Sequence, residues 1–149
     1  MLVADTTSAL ERFEAHSTIL SVIQYFAENF STAVTVPQLS RDLRIPLLQI
    51  ETAFDLCKGK TANQALLEYR LSRLCDLMSF DPVEEIGIQL RRCGLGFDLS
   101  SDFAIFHRTN EQFSSCFGID LVEYHQQCFI ASAVRLQASA QALASSTKR

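Results

Sequence analysis

Apolar residues recur along this chain at intervals of three and four, and that spacing limits what it can fold into. Ile19, Leu20, Val22, Ile23, Phe26, Ala27 and Phe30 follow one helical period. Leu67, Leu71, Leu74 and Met78 follow another. Gly and Pro are scarce, 5 and 3 of 149 residues, which favours helices over a turn-rich β fold. The hydrophobic fraction of 48% is enough for a core and argues against disorder.

Cap residues divide this pattern into about seven helices. Ser8 with Glu11 has the spacing of a capping box and predicts an early start for the first helix. Thr35, Pro37 and Gln38 predict a short helix burying Leu39 and Leu43. Ile45-Pro46 breaks it, because a residue before proline avoids helical geometry. "LLQIETAFDLCKG" then runs from 47 to a glycine cap at Gly59, with Leu47, Ile50, Phe54 and Cys57 on one face. Thr61 with Gln64 opens a long fourth helix. Asp81, Pro82 and Glu84 predict the N-cap, first and third positions of a fifth, ending near "CGLG". Ser100 or Ser101 starts a sixth, about 101–116, with Phe103, Phe106, Phe113 and Phe117 on its buried side. Asp120 with Glu123 starts a last helix carrying Leu121, Tyr124 and Cys128 inward. The Ala-rich stretch beyond Cys128 either extends that helix or frays past about residue 145.

Charge restricts the partners. The net charge is −4, and residues 1–78 carry 7 basic and 9 acidic side chains against 6 and 8 in the remainder. Neither half is a polycation, which counts against strong non-specific DNA binding but leaves room for a local basic face. Five dispersed cysteines, at 57, 75, 93, 116 and 128, form no C-x-x-C pair and read as buried thiols of a reducing cytoplasm. The first residues lack the basic and apolar regions of a signal peptide, and no run is long enough to span a membrane. Cys116 or Cys128 beside His107 or His125 has no nucleophile signature, so no catalytic, metal or cofactor site is expected.

Residues 35–78 resemble the first half of an AraC-type DNA-binding domain without a gap. Leu39-Ser40 falls at that family's Leu-Ala, and Ile50 and Phe54 at the core positions of its reading helix. Gly59 matches the glycine ending that helix, and Arg70-Leu71, Leu74 and Leu77-Met78 follow its linker helix. "FSSCFGIDLVEYH" (113–125) resembles the family's closing motif, with Leu121 in place of the usual proline and His125 in place of arginine. The second half fits only with extra residues before Phe113. The resemblance implies an all-α fold of two helix-turn-helix units joined by a long linker helix. The expected divisions are an N-terminal helical extension (1–16), a first unit with the linker helix (17–78), a second unit (79–129) and an Ala-rich tail (130–149).

The matching reading positions differ in chemistry between the units. In the first, the residues facing DNA or a protein partner are Leu48, Gln49, Glu51, Thr52, Asp55, Leu56 and Lys58. Glu51 and Asp55 repel a polyanion, although Glu can accept from cytosine and Thr can touch a thymine methyl. In the second, His107, Arg108, Thr109, Asn110 and Gln112 can reach bases or phosphates, and Arg91 and Arg92 can hold phosphate. Two functions follow. One is a small cytoplasmic transcriptional regulator binding double-stranded DNA, with no fused sensor domain. The other is a fold that has lost DNA binding and serves as a protein-interaction or assembly module. Either is compatible with a homodimer formed through the N- or C-terminal helix.

Overall fold

The computed structural model describes the backbone of residues 2–147 and the side-chain surroundings of residues 9–146. Seven helices and no strand occur among the described residues. They are α1 (Leu2–Asn29), α2 (Val36–Leu43), α3 (Leu47–Lys58), α4 (Ala62–Phe80), α5 (Ile86–Arg92), α6 (Asp102–Phe117) and α7 (Leu121–Thr147). The chain forms two compact units, Met1–Arg70 and Leu71–Arg149, which divide within α4.

In the first unit α1 packs on α2 and α3. Ile19, Val22 and Phe26 of α1 meet Leu39 of α2 and Ile50, Ala53 and Phe54 of α3 in one apolar cluster. The rings of Phe26 and Phe54 are stacked at 6.4 Å, with Tyr69 tilted against Phe26 at 5.8 Å. The caps of α2 and α4 act as their sequence predicts. The Thr35 hydroxyl accepts from the Gln38 N–H at 3.3 Å. Thr61 and Gln64 satisfy each other's backbone N–H groups at 3.1 and 3.0 Å, the reciprocal capping box. Gly59 ends α3 at φ +65°, where its N–H donates to the Asp55 carbonyl.

Arg44 ends α2 in the left-handed region, φ +55°, at a position where glycine is common. Its N–H and that of Ile45 bond back to the Arg41 and Ser40 carbonyls, and the Ser40 hydroxyl donates to the Ile45 carbonyl at 2.6 Å. These bonds hold the tight turn between α2 and α3. The Arg70 guanidinium secures the connection before α2 by donating to the carbonyls of Phe30, Thr32 and Val34 at 3.0 to 3.3 Å.

The second unit buries Leu71, Leu74, Met78, Leu90, Cys93, Leu95, Ile105, Phe113 and Leu121. Its α5 and α6 are separated by residues 93–101, where α2 and α3 are separated only by residues 44–46. This longer connection accommodates the additional residues before Phe113. Gly96 passes under α6 with φ +83°, so close that a Cβ there would lie 2.6 Å from Ile105 Cγ2.

Several local expectations need correction. α1 already runs from Leu2, so its start is not at Ser8–Glu11; the Ser8 side chain lies outside the described surroundings. α5 starts at Ile86, not at Pro82, because residues 82–84 form a turn in which the Glu84 N–H meets the Asp81 carbonyl. The buried stripe of α6 is Ile105, Thr109 and Phe113, while Phe103 is 78% exposed and Phe117 is 45% exposed. Phe103 precedes the stripe by two residues, about 200° around the helix, so it points away. The thiols are not uniformly buried: Cys93 is, Cys116 is exposed, and the others are half-buried. α7 continues to Thr147; the two residues after it lie outside the described part.

Candidate functional site

Two surfaces carry the residues that the helix-turn-helix pattern singles out. On the second unit, α6 presents His107 at its surface, with Arg108 and, one turn further on, Gln112 half-buried. Thr109 belongs to the buried stripe, 1% exposed, and does not present its hydroxyl to a ligand. Asn110 is used at both ends: its carbonyl accepts from the Leu121 N–H at 2.9 Å and its amide donates to Asp120 Oδ2 at 3.0 Å. It thus supplies an acceptor to the start of α7, where backbone N–H groups have no partner within the helix. The exposed Phe103 ring stacks on His107 at 6.1 Å and 6° between planes, an aromatic surface that the period of α6 hides in the sequence.

The basic side chains of this surface each lie beside a carboxylate. Arg108 is held by Asp98 through two bonds of 2.7 Å. Arg91 pairs with Asp102, Arg92 with Glu84 at 2.6 Å, and His107 lies 3.2 Å from Glu111. The Arg108 hydrogen bonds hold the Asp98 carboxyl down at about 2, and in return raise Arg108. Arg91 and Asp102 are exposed, where ion pairs are weak and screened, whereas the Arg108–Asp98 fork is bidentate and the Glu84 side chain is largely covered, so those two pairs are held more firmly. Before any of these arginines can take a phosphate it must release its carboxylate, which for Arg92 leaves the largely covered Glu84 without its cation.

On the first unit the outward side of α3 has a different character. Leu48 is 79% and Leu56 51% exposed, with Thr52 and Asp55 on the stretch between them. Leu48, Thr52 and Leu56, together with α1, line an open groove of about 470 Å³, whose other wall includes Glu11, Glu14, Ala15 and Thr18. The Gln49 amide donates to the Thr18 hydroxyl at 3.1 Å and ties α3 to α1 at its floor. Glu51 turns away from the groove: its carboxylate accepts from the Ala62 N–H at 3.3 Å, at the start of α4, where the helix dipole favours a negative charge. Lys58, in the last turn of α3, is exposed and outside the groove lining. Glu11 and Glu14 could not be recognised from the reading-helix pattern, because they come from a helix more than thirty residues earlier.

The cysteines make no reactive constellation. The Tyr124 hydroxyl is in hydrogen-bond contact with the thiols of Cys75 and Cys128, and burial together with these thiols raises it. Burial pushes Cys75 and Cys93 up to about 11, which keeps both protonated and poorly nucleophilic near neutrality. Among the described residues no group of three His, Cys, Asp or Glu side chains could hold a metal ion, and no helix is long and apolar enough to cross a membrane.

No protein-family model matches the chain, and no curated protein matches it. Among solved structures it is similar to the C-terminal domain of AraT, a response regulator from Geobacillus stearothermophilus. The TM-score is 0.60 at 16% identity, covering 74% of this chain and 84% of that one. The likeness is one of fold: the arrangement of helices is shared with a response regulator's C-terminal domain.

Proposed function

We propose that this chain is a transcription-regulator module of AraC-like architecture that meets double-stranded DNA through its second unit. The observation that carries the reading is the fold shared with a response regulator's C-terminal domain. The exposed His107 and half-buried Arg108 on α6, with Arg91 and Arg92 at the end of α5, support the choice of unit. Binding is modest and strongly salt-dependent, because each arginine must release a carboxylate before it takes a phosphate. The module belongs to the cytoplasm, and it is assigned no catalytic role and no cofactor. Fluorescent promoter DNA titrated at two salt concentrations, against scrambled DNA, tests this. Absence of binding at low salt sinks the reading.

A second reading is favoured by the α1–α3 groove. There the position expected to read bases offers Leu48 and Leu56 beside Glu11 and Glu14, a surface suited to a protein segment with apolar and cationic side chains. On this reading the fold has lost DNA binding and works as an interaction module. Leu48→Lys then abolishes partner binding and leaves the unit folded.

A further inference from the structure

We propose that two copies of this chain pair through the part of α7 beyond Cys128, antiparallel about a two-fold axis at Leu136. Phe129, Ala133, Leu136 and Ala140 follow one another at spacings of four, three and four. That is the 3.5-residue repeat with which one helix meets another along a seam. The seam faces water: Phe129 is 52% and Leu136 69% exposed, and Ile130 beside them is 60% exposed. From Phe129 to Gln141 no residue is buried. Helices in proteins draw most of their stability from a packed face, and this stretch of α7 buries none among the described residues.

The occupant is a second copy because the surface complements itself. About an axis at Leu136 each Leu136 meets its own copy and Phe129 of one helix lies level with Leu143 of the other, so large apolar side chains face apolar side chains with the alanines between them. Between Tyr124 and Thr147 the single formally charged residue is Arg135, which the helical period puts on the side away from the seam. No like charges therefore oppose each other across the contact. The antiparallel sense follows from the helix dipoles, which attract when neighbouring helices run in opposite directions and repel when they run together. A parallel pair would also set Glu123, the one acid of α7, level with its own copy. Covering Phe129, Ile130, Leu136 and the intervening alanines on both copies removes on the order of 1,000 Å² from water, where specific interfaces begin. The pairing involves α7 alone and holds whichever unit touches DNA.

Sedimentation equilibrium of the full chain over a wide concentration range tests the proposal. The wild type and Ala138→Glu, about 200° around the helix from Leu136, sediment as dimers; Leu136→Glu sediments as a monomer that still unfolds cooperatively. A spin label introduced at position 127 by chemistry that spares the native thiols reads the sense of pairing. In the antiparallel pair the two labels are separated by roughly 27 Å along the axis, and in a parallel pair they lie side by side. A monomeric wild type, a Leu136→Glu variant that still dimerises, or labels side by side would each overturn it.

Discussion

The two terminal nitrogens of Arg108 each donate to one carboxylate oxygen of Asp98 at 2.7 Å, in the parallel fork that arginine also uses on phosphate. On the proposed DNA-binding reading the carboxylate occupies the place of a phosphate and competes for the same donors. Asp98→Ala frees the guanidinium and raises DNA affinity several-fold, whereas Arg108→Ala removes the contact. The slope of log affinity against log salt then falls by about 0.9 in Arg108→Ala. Fluorescence anisotropy across a salt series measures both; equal slopes in wild type and Arg108→Ala would show that Arg108 touches no phosphate.

The same pair responds to acid in a defined direction. Its hydrogen bonds hold the Asp98 carboxyl at about 2, below the ordinary carboxylate range. A group whose value is depressed on folding stabilises the native state fully above its unfolded value and loses that effect as pH falls through the folded one. The pair thus stays closed through mild acid and opens near pH 2. An NMR titration of the Asp98 side-chain carbonyl checks this, and a midpoint at the ordinary carboxylate value would refute it.

Arg70 anchors the connection between α1 and α2 through three backbone carbonyls. Its guanidinium is partly desolvated, which lowers its pKa, so the carbonyls gain from a close charged donor. Arg70→Ala leaves them without that donor and destabilises the first unit by about 1–3 kcal/mol. Arg70→Lys recovers only part of the loss, since one ammonium cannot span three acceptors in a fixed fork. Chemical denaturation of the three proteins ranks them.

Gly59 and Gly96 both have positive φ, +65° and +83°, yet they differ in surroundings. A Cβ at Gly59 meets nothing within 4 Å, so Gly59→Ala costs only the left-handed backbone penalty, roughly 1–2 kcal/mol. At Gly96 the added carbon meets the buried Ile105 side chain at 2.6 Å, which adds a further overpacking cost of about 1–3 kcal/mol. Thermal unfolding should place Gly96→Ala well below Gly59→Ala. Double substitution with Ile105→Val should recover part of the difference.

Leu48 contributes to surface rather than core. Leu48→Lys changes stability by less than about 0.5 kcal/mol, as is usual for exposed positions. Phe113→Ala, at a fully buried ring packed on Phe117 and Tyr124, costs about 3–5 kcal/mol. Denaturation curves distinguish them; a large loss in Leu48→Lys would mean that the α1–α3 groove is closed in solution.

The sequence by itself determined the helices, most of their ends and their inward sides apart from that of α6, where the phenylalanines pointed to the wrong stripe. Ile50, Phe54 and Gly59, or Thr61 with Gln64, act on neighbours within four or five residues, so spacing alone reports what they do. It failed where a cap pattern lay inside a longer helix, at Ser8, or in a turn, at Asp81-Pro82, because the same residue types serve both. The fate of the polar side chains was decided by the tertiary structure. Asp98 meets Arg108 across a loop, Glu51 meets the first N–H of α4, Asn110 meets the start of α7, and Glu11 and Glu14 come to lie beside α3. Those partners stand ten or more residues apart in the chain. Only the packing of the helices brings them together, and that packing determines which charges remain available to a ligand.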